Sequence, residues 1–301
     1  IFFFYIIVSG KIFKKNRAEI TFANIEIGRF VLAQTFCEYE CYLNKFKFYK
    51  TLLKNFLNAG FLINTCDFYN KNFQISGVYV DHCGYLNGII FSFFALKKKI
   101  VYSNNYPHGI FCVDYKKNNK KYLLKYENAL RINIKKKINN LQKKKAETKI
   151  SNLVKKATFI PYMVKVNYKK LENINYKSFD YVIYCHSFTD GQLWHGYSGF
   201  ENTLDWLEFT LNGLVKTNKK VLIKPHPNFY NSSLYTIAEW DKKIYDIVVK
   251  KYKKHNNLFF IKTPIHNYLL LKKLNKNCIL LSGFGTAILE SAYMNFKSIC
   301  T

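Results

Sequence analysis

A regular alternation of short apolar runs with longer amphipathic stretches begins at Tyr181 and continues to the end of the chain. Short continuous apolar runs are typical of strands buried on both faces of a parallel sheet, and the stretches between them have the spacing of helices. The second half is therefore predicted to be an α/β domain with a parallel sheet. Its predicted strands are Tyr181–Cys185, Lys219–Lys224, Leu258–Ile261 and Cys278–Leu281, and its predicted helices are Asn202–Leu214, Ser233–His255, Ile265–Leu274 and Ala287–Met294.

The first half shows the same alternation, which predicts a second α/β domain. A polar segment over residues 167–178 separates the halves, so the predicted domains are residues 1–165 and 176–301. A further strand is expected to begin at Lys297, and we therefore expect the C-terminal domain to be incomplete. In the first half the predicted strands are Phe61–Asn64, Gly77–Val80 and Ile100–Tyr102, and the predicted helices are Tyr85–Leu96 and a lysine-rich stretch over residues 122–156.

The chain is strongly basic, with 47 Lys+Arg against 19 Asp+Glu and a formal net charge of +28. Only Arg17, Arg29 and Arg131 are arginines, whereas proteins that read nucleic-acid bases favour the arginine fork. Two interpretations of the surplus lysines stay open. One is a compositional bias toward Lys, Asn, Ile, Tyr and Phe, and the other is a basic surface that faces anionic lipid or phosphorylated substrates.

Composition also excludes several classes of protein. With 49% hydrophobic and 18% aromatic residues, the chain is not intrinsically disordered. No stretch approaches the roughly 18 apolar residues of a transmembrane helix. The eight cysteines are scattered, which indicates reduced thiols in a cytoplasmic protein rather than disulfides. No metal site is predicted, because Cys37 and Cys41 have no matching second pair.

Polar residues of reactive types follow three of the predicted strands. These segments are His186–Gly191, Lys224–Asn228 and Ser282–Glu290. Open parallel sheets bind ligands beyond the carboxyl ends of their strands. We therefore expect the three segments to meet in one site.

The segment after the last complete strand is suited to an anion. Gly283 and Gly285 let the backbone approach a ligand closely, and the helix that begins near Thr286 offers free N–H groups and the positive end of its dipole. The hydroxyls of Ser282 and Thr286 are predicted to bind phosphate oxygens, and Glu290, one turn further on, to accept a hydrogen bond from a ribose hydroxyl. The alternative is an ordinary strand–loop–helix turn that Thr286 caps.

His226 stands between two prolines, which hold its backbone rigidly. A histidine donor that faces a nucleotide phosphate would stabilise the charge that develops on the leaving group. Lys224 and His186, each at the end of a predicted strand, are further candidates for donor binding. The alternative is a purely structural histidine.

These residues carry a resemblance to a known family. Lys224–Pro227 together with Ser282–Glu290 resembles bacterial surface-polysaccharide (capsule) glycosyltransferases of the GT-B fold. The His-Pro pair is similar to that of capsular sialyl- and Kdo-transferases, and also to that of the CDP-glycerol glycerophosphotransferases of teichoic acid synthesis. The resemblance extends weakly into the first half through Val80–Gly88 and Asn105–Gly109.

The resemblance implies two Rossmann-like domains that face a cleft, with a donor nucleotide in the C-terminal domain and an acceptor site in the N-terminal one. It implies a CMP- or CDP-linked donor, a glycan or glycolipid acceptor, no cofactor and no metal requirement. From the basic charge we expect peripheral contact with an anionic membrane, and no nucleic-acid partner is expected. The expected location is cytoplasmic, extending to the inner face of the cytoplasmic membrane.

The catalytic base is predicted from the residues alone, because the first half lacks the paired-acidic-then-glycine motif of the sialyltransferases. Asp81 follows the predicted strand Gly77–Val80, which places it at a strand end, where a carboxylate can accept the proton of an attacking hydroxyl. The competing interpretation makes Asp81 a helix cap. Asp190 is the next candidate.

Two other functions stay open beside the transferase. A sugar-nucleotide epimerase of the same fold would turn over without an acceptor. A non-catalytic basic module would bind nucleic acid or anionic membrane, and the interleaved rings and lysines of Phe46–Lys50 suit single-strand stacking.

Overall fold

The computed structural model describes residues 17–22, 25–80, 85–106, 109–114, 140–156, 169–171, 173–190, 199–230, 235–283 and 285–300. The described residues fall into two compact units. One contains residues 17–114 with 199–201, and the other contains residues 140–190 with 202–300. This division differs from the predicted domains, 1–165 and 176–301, because it assigns residues 140–156 to the second unit and residues 199–201 to the first.

The first unit is built around one long helix. Its helices are α1 (Gly28–Thr35), α2 (Glu40–Leu43), α3 (Lys45–Asn72) and α4 (Leu86–Lys98). Its strands are β1 (Thr21–Phe22), β2 (Ile25–Glu26), β3 (Gly77–Val80), β4 (Val101–Tyr106) and β5 (Gly109–Asp114). Strand β3 pairs with β4 in parallel, β4 pairs with β5 antiparallel, and β1 and β2 form a separate antiparallel pair.

The predicted strand Phe61–Asn64 is wrong, because these residues lie inside α3. The helix begins where the Asn44 side chain accepts a hydrogen bond from the Lys47 N–H, as an N-cap does. Apolar residues then recur at helical spacing and are buried, and this period outweighs the strand propensity of a four-residue run. The buried residues are Phe48, Leu52, Phe56, Ala59, Ile63 and Cys66.

The other predictions for the first half stand as follows. The strands Gly77–Val80 and Ile100–Tyr102 are confirmed as β3 and the start of β4, and the helix Tyr85–Leu96 is confirmed as α4. The lysine-rich helix is confirmed over α5 (Asn140–Lys156), and the rest of that stretch lies outside the described residues.

The second unit contains a five-stranded parallel sheet. Its strands are β6 (Tyr181–Tyr184), β7 (Val221–Lys224), β8 (Leu258–Phe260), β9 (Ile279–Ser282) and β10 (Lys297–Cys300). Its helices beyond α5 are α6 (Thr203–Leu214), α7 (Tyr235–Tyr252), α8 (Asn267–Lys273) and α9 (Thr286–Tyr293). The predicted α/β class with a parallel sheet is confirmed for this half, while the two-domain GT-B arrangement stays a prediction.

The strand order is β10-β9-β6-β7-β8, with every neighbouring pair parallel. Numbered along the chain and read from the β8 edge, this order is 3-2-1-4-5, which matches the first five strands of the doubly wound Rossmann order 3-2-1-4-5-6. The order reverses between β6 and β9, and ligands of such sheets bind outside the carboxyl ends of the strands at that point. The topology alone therefore marks the edge beyond Tyr184 and Ser282 as the candidate site.

No helix among the described residues is long and apolar enough to span a membrane.

Candidate functional site

The register of the sheet brings three strand ends to the same level. Tyr184 at the end of β6 pairs with Lys224 on one side and with Ser282 on the other. The segments that follow these strands therefore leave the sheet side by side at its carboxyl edge. They carry His186, His226 and the glycine loop that begins at Gly283.

Ring and loop contacts bring these segments together beyond the sheet. The rings of His186 and His226 have centroids 5.2 Å apart. A Cβ placed on Gly285 would lie 3.7 Å from Cδ2 of His186, and one on Gly283 would lie 3.6 Å from the Trp206 ring. The glycine loop thus packs between the His186 imidazole and helix α6.

Lys224 is the most unusual residue of this edge. It is only 5% exposed, and no described residue accepts a hydrogen bond or forms an ion pair within 4 Å from its ammonium group. The ammonium lies 5.8 Å from the centroid of the Tyr184 ring. Burial lowers the pKa of Lys224 to about 8, although the nearby Glu290 carboxylate acts in the opposite direction. A buried cation without a hydrogen-bonding partner is costly, and it is ordinarily paired.

The negative charge of the Glu290 carboxylate acts to raise the pKa of Lys224. Its Oε2 accepts a hydrogen bond from Nδ2 of Asn267, at the start of α8. Burial raises the pKa of Glu290, while the Asn267 hydrogen bond and Lys224 act against this. The ribose-binding role of Glu290 stays a prediction, and the structure shows the Glu290 carboxylate held by Asn267.

A third histidine belongs to this cluster, and the sequence analysis missed it. His266 is the N-cap of α8, where its Nδ1 accepts a hydrogen bond from the Tyr268 N–H at 3.2 Å. Burial, and then the charge of Lys224, lower the pKa of His266. Its position in the sequence could have identified it, because His266 follows strand β8 as His226 follows strand β7.

His226 is held in the same way as His266. Its Nδ1 accepts a hydrogen bond from the Asn228 N–H at 3.2 Å. Burial first, then His186 and Lys224, lower the pKa of His226 well below 6.5. A neutral imidazole that accepts at Nδ1 carries its proton on Nε2. His226 and His266 therefore each have an Nε2–H donor at this edge of the sheet.

Helix α9 begins at the same place. Its N-cap is Gly285, with φ +121°, and the N-cap residue contributes no side-chain cap. Thr286 is the first residue of the helix, so the alternative in which Thr286 caps it is wrong. The first N–H groups of a helix have no partner within the helix. Ser282 is buried, and its hydroxyl donates to the Tyr184 carbonyl at 3.3 Å.

The loop after β6 is fixed by a buried carboxylate that the sequence analysis did not single out. Asp241, on α7, accepts hydrogen bonds from the Ser187 hydroxyl, from the Phe188 and Thr189 N–H groups and from the Thr189 hydroxyl. Burial raises the pKa of Asp241 to about 6, against the effect of these bonds. Asp241 thereby holds the loop between His186 and Asp190.

The remaining predicted site residues divide into two groups. Asp190 lies half-buried at the end of the loop that Asp241 holds. Asp81 lies outside the described residues, so its role as base and its role as cap both stay predictions. Among the described residues, no group of three or more His, Cys, Asp and Glu side chains is arranged to hold a metal ion.

The arrangement is suited chemically to an anion. One ammonium, two imidazole N–H donors and the uncapped start of α9 follow the carboxyl ends of strands of this sheet, with the Glu290 carboxylate acting on the ammonium. Helix starts and clustered cationic donors are typical of phosphate sites. No protein-family model, curated protein or solved structure matches this chain.

Proposed function

We propose that this chain is a glycosyltransferase that moves a sugar, or a polyol-phosphate, from a nucleotide-activated donor to a growing capsule or other surface polysaccharide. The observation that carries the proposal is the Lys224 side chain, which is only 5% exposed and whose ammonium has no hydrogen-bond acceptor among the described residues. A folded protein keeps such a cation when a ligand of opposite charge completes its surroundings. The phosphates of a nucleotide-activated donor are such a ligand.

The donor phosphates would lie between Lys224, the Nε2–H group of His226 and the first N–H groups of α9. In glycosyl transfer the acceptor oxygen forms a bond to the anomeric carbon while the bond from that carbon to the phosphate oxygen breaks. The electron pair of the broken bond stays on the leaving nucleotide. Hydrogen-bond donors placed at this phosphate oxygen would stabilise the transition state more than they stabilise the bound substrate.

The proton of the attacking hydroxyl must go to a base, and a carboxylate is the usual acceptor. Asp81 and Asp190 remain the two candidates. Asp190 stands on a loop that Asp241 fixes through neighbouring residues, which is the kind of support that a positioned base needs.

The first experiment measures nucleotide binding. The chain is melted in the presence of CMP, CDP, UDP and GDP, and the cognate nucleotide is expected to raise the melting temperature most, because stabilisation grows as RT ln(1 + [L]/Kd). No shift with any of the four nucleotides would contradict the proposal.

The second experiment uses His226→Ala with His255→Ala as the matched control. His255 precedes β8 and so lies toward the opposite edge of the sheet. We expect His226→Ala to lower kcat by about 10²-fold or more while nucleotide Kd changes only a few-fold, and His255→Ala to leave both unchanged. Release of the nucleotide without any acceptor, with an altered sugar, would instead identify an epimerase.

A further inference from the structure

Helix α3 is apolar on two opposite faces, and only one of them packs into the first unit. The buried face carries the residues that form the core with α1 and α4. The other face exposes Phe46 by 78%, Leu57 by 48%, Phe61 by 71% and Phe68 by 59%. At about 100° per residue these four side chains fall within roughly 60° of arc. A helix with apolar residues on both faces is ordinarily covered on both.

The exposed face of α3 is also positively charged. Lys50, Lys54 and Lys71 are exposed on the same side of the helix, and none of them forms an ion pair with a described residue. Asp67, half-buried, is the one acidic residue in the helix. The face therefore combines large apolar side chains with lysines and lacks an exposed carboxylate of its own.

We propose that this face of α3 docks onto the surface of an anionic lipid bilayer, with the helix lying in the plane of the interface. Amphipathic helices with aromatic and aliphatic residues on one side and flanking lysines bind in this way, and each lysine near an anionic surface adds to the attraction. The stripe from Phe46 to Phe68 is roughly 33 Å long, so it offers an extended line of contact rather than a single anchor.

Two other occupants fit the face less well. A second copy of the chain packed symmetrically on this face would bring like-charged lysines together without carboxylates to pair them. A single nucleic-acid strand would need a platform of exposed rings, but Phe48, in the middle of the run Phe46–Lys50, is buried and only 7% exposed. Leu57 would also gain nothing from stacked bases. The inference is independent of the proposed transferase activity.

The test is cosedimentation of the full chain with large unilamellar vesicles, made either of phosphatidylcholine alone or of phosphatidylcholine with 30% phosphatidylglycerol as roughly the anionic content of a cell membrane. Two variants probe the face, Phe61→Ser/Phe68→Ser and Lys50→Glu/Lys54→Glu. Their matched controls lie on exposed sites of the second unit. They are Phe209→Ser, with Phe209 69% exposed, and Lys253→Glu/Lys254→Glu.

We expect the unchanged chain to bind the anionic vesicles and to bind phosphatidylcholine weakly. The lysine variant should lower the partition coefficient by at least about 30-fold, because it removes two attractive charges and adds two repulsive ones. The phenylalanine variant should lower it by at least about tenfold, while both controls stay within about twofold of the unchanged chain. All mutated side chains are exposed, so we expect the melting curves of the variants to match that of the unchanged chain. Matching curves show that a loss of binding does not come from unfolding.

Three results would overturn the proposal. The first is vesicle binding that the α3 variants leave unchanged. The second is loss of oligonucleotide binding in those variants with vesicle binding intact, which would assign the face to nucleic acid. The third is a dimer in solution that the α3 variants convert to monomer, which would assign the face to a second copy.

Discussion

Replacing Lys224 with methionine should make the protein more stable and at the same time unable to bind the nucleotide of the proposed reaction. Methionine has nearly the same length and flexibility as lysine but carries no charge. The site is only 5% exposed, so the variant removes a buried ammonium and keeps most of its packing. A gain in stability with loss of binding is the behaviour expected of a residue retained for function.

The size of the gain follows from the pKa of the buried ammonium. Burial lowers the pKa of Lys224 from 10.5 to about 8, and each pK unit corresponds to about 1.4 kcal/mol. The charged form is therefore destabilised in the folded protein by about 3 kcal/mol relative to the unfolded chain. The attraction of Glu290 is already part of this shift, so it is not subtracted again. We expect the free energy of unfolding to rise by about 3 kcal/mol at pH 7.

The dependence on pH gives a sharper signature than the gain itself. Between pH 8 and 10.5 the unfolded lysine keeps its proton while the folded one has lost it, so the unfolded state binds more protons and stability rises with pH for this group. The advantage of Lys224→Met over the unchanged chain should be constant below about pH 7.5. It should shrink through pH 8 and disappear near pH 10.5.

The free energy of unfolding of both chains is measured by denaturant titration from pH 6 to 10.5. Nucleotide binding is measured by titration with CDP or CMP at pH 7. Lys220→Met serves as the control, since Lys220 is exposed and directly precedes the same strand. A variant that is less stable than the unchanged chain at pH 7, or one that binds nucleotide normally, would show that the ammonium is satisfied within the protein and would refute the reasoning.

Three further predictions follow from the same edge of the sheet. Asp241→Ala should lower the free energy of unfolding, measured by chemical denaturation, by at least about 3 kcal/mol, because it leaves four donors without their acceptor. Asp241→Asn should lower it less, because the amide oxygen still accepts hydrogen bonds. Gly285→Ala should cost about 1–3 kcal/mol through φ +121° rather than through crowding, since the nearest atom is 3.7 Å away, and it should weaken nucleotide binding in calorimetry. Nucleotide affinity should fall as pH rises above about 8 in the unchanged chain, because Lys224 loses its charge there; a flat profile to pH 9.5 would exclude Lys224 from the site.

The second half of the chain was largely predictable because its signals are local. Each buried strand is a short apolar run, and each helix keeps its spacing, so β6 to β10 and α6 to α9 fall close to their predicted positions. The first half was less predictable, since α3 contains the run Phe61–Asn64, which has strand-forming residues in a helix. The deciding signal there was a helical period over 28 residues, which a short window does not show.

The sequence by itself determined which segments form strands and helices in the second half, and it placed His186, Lys224 and the glycine loop at strand ends. It did not determine which of those ends are neighbours. The order β10-β9-β6-β7-β8 depends on how whole strands pair, and so does the approach of His266 to Lys224, two residues 42 positions apart in the chain. The pKa of Lys224 and the clamp of Asp241 on residues 187–189 were likewise decided by tertiary structure. Burial and hydrogen bonds between distant segments exist only once the chain has packed, because residue type and spacing do not specify what surrounds a side chain.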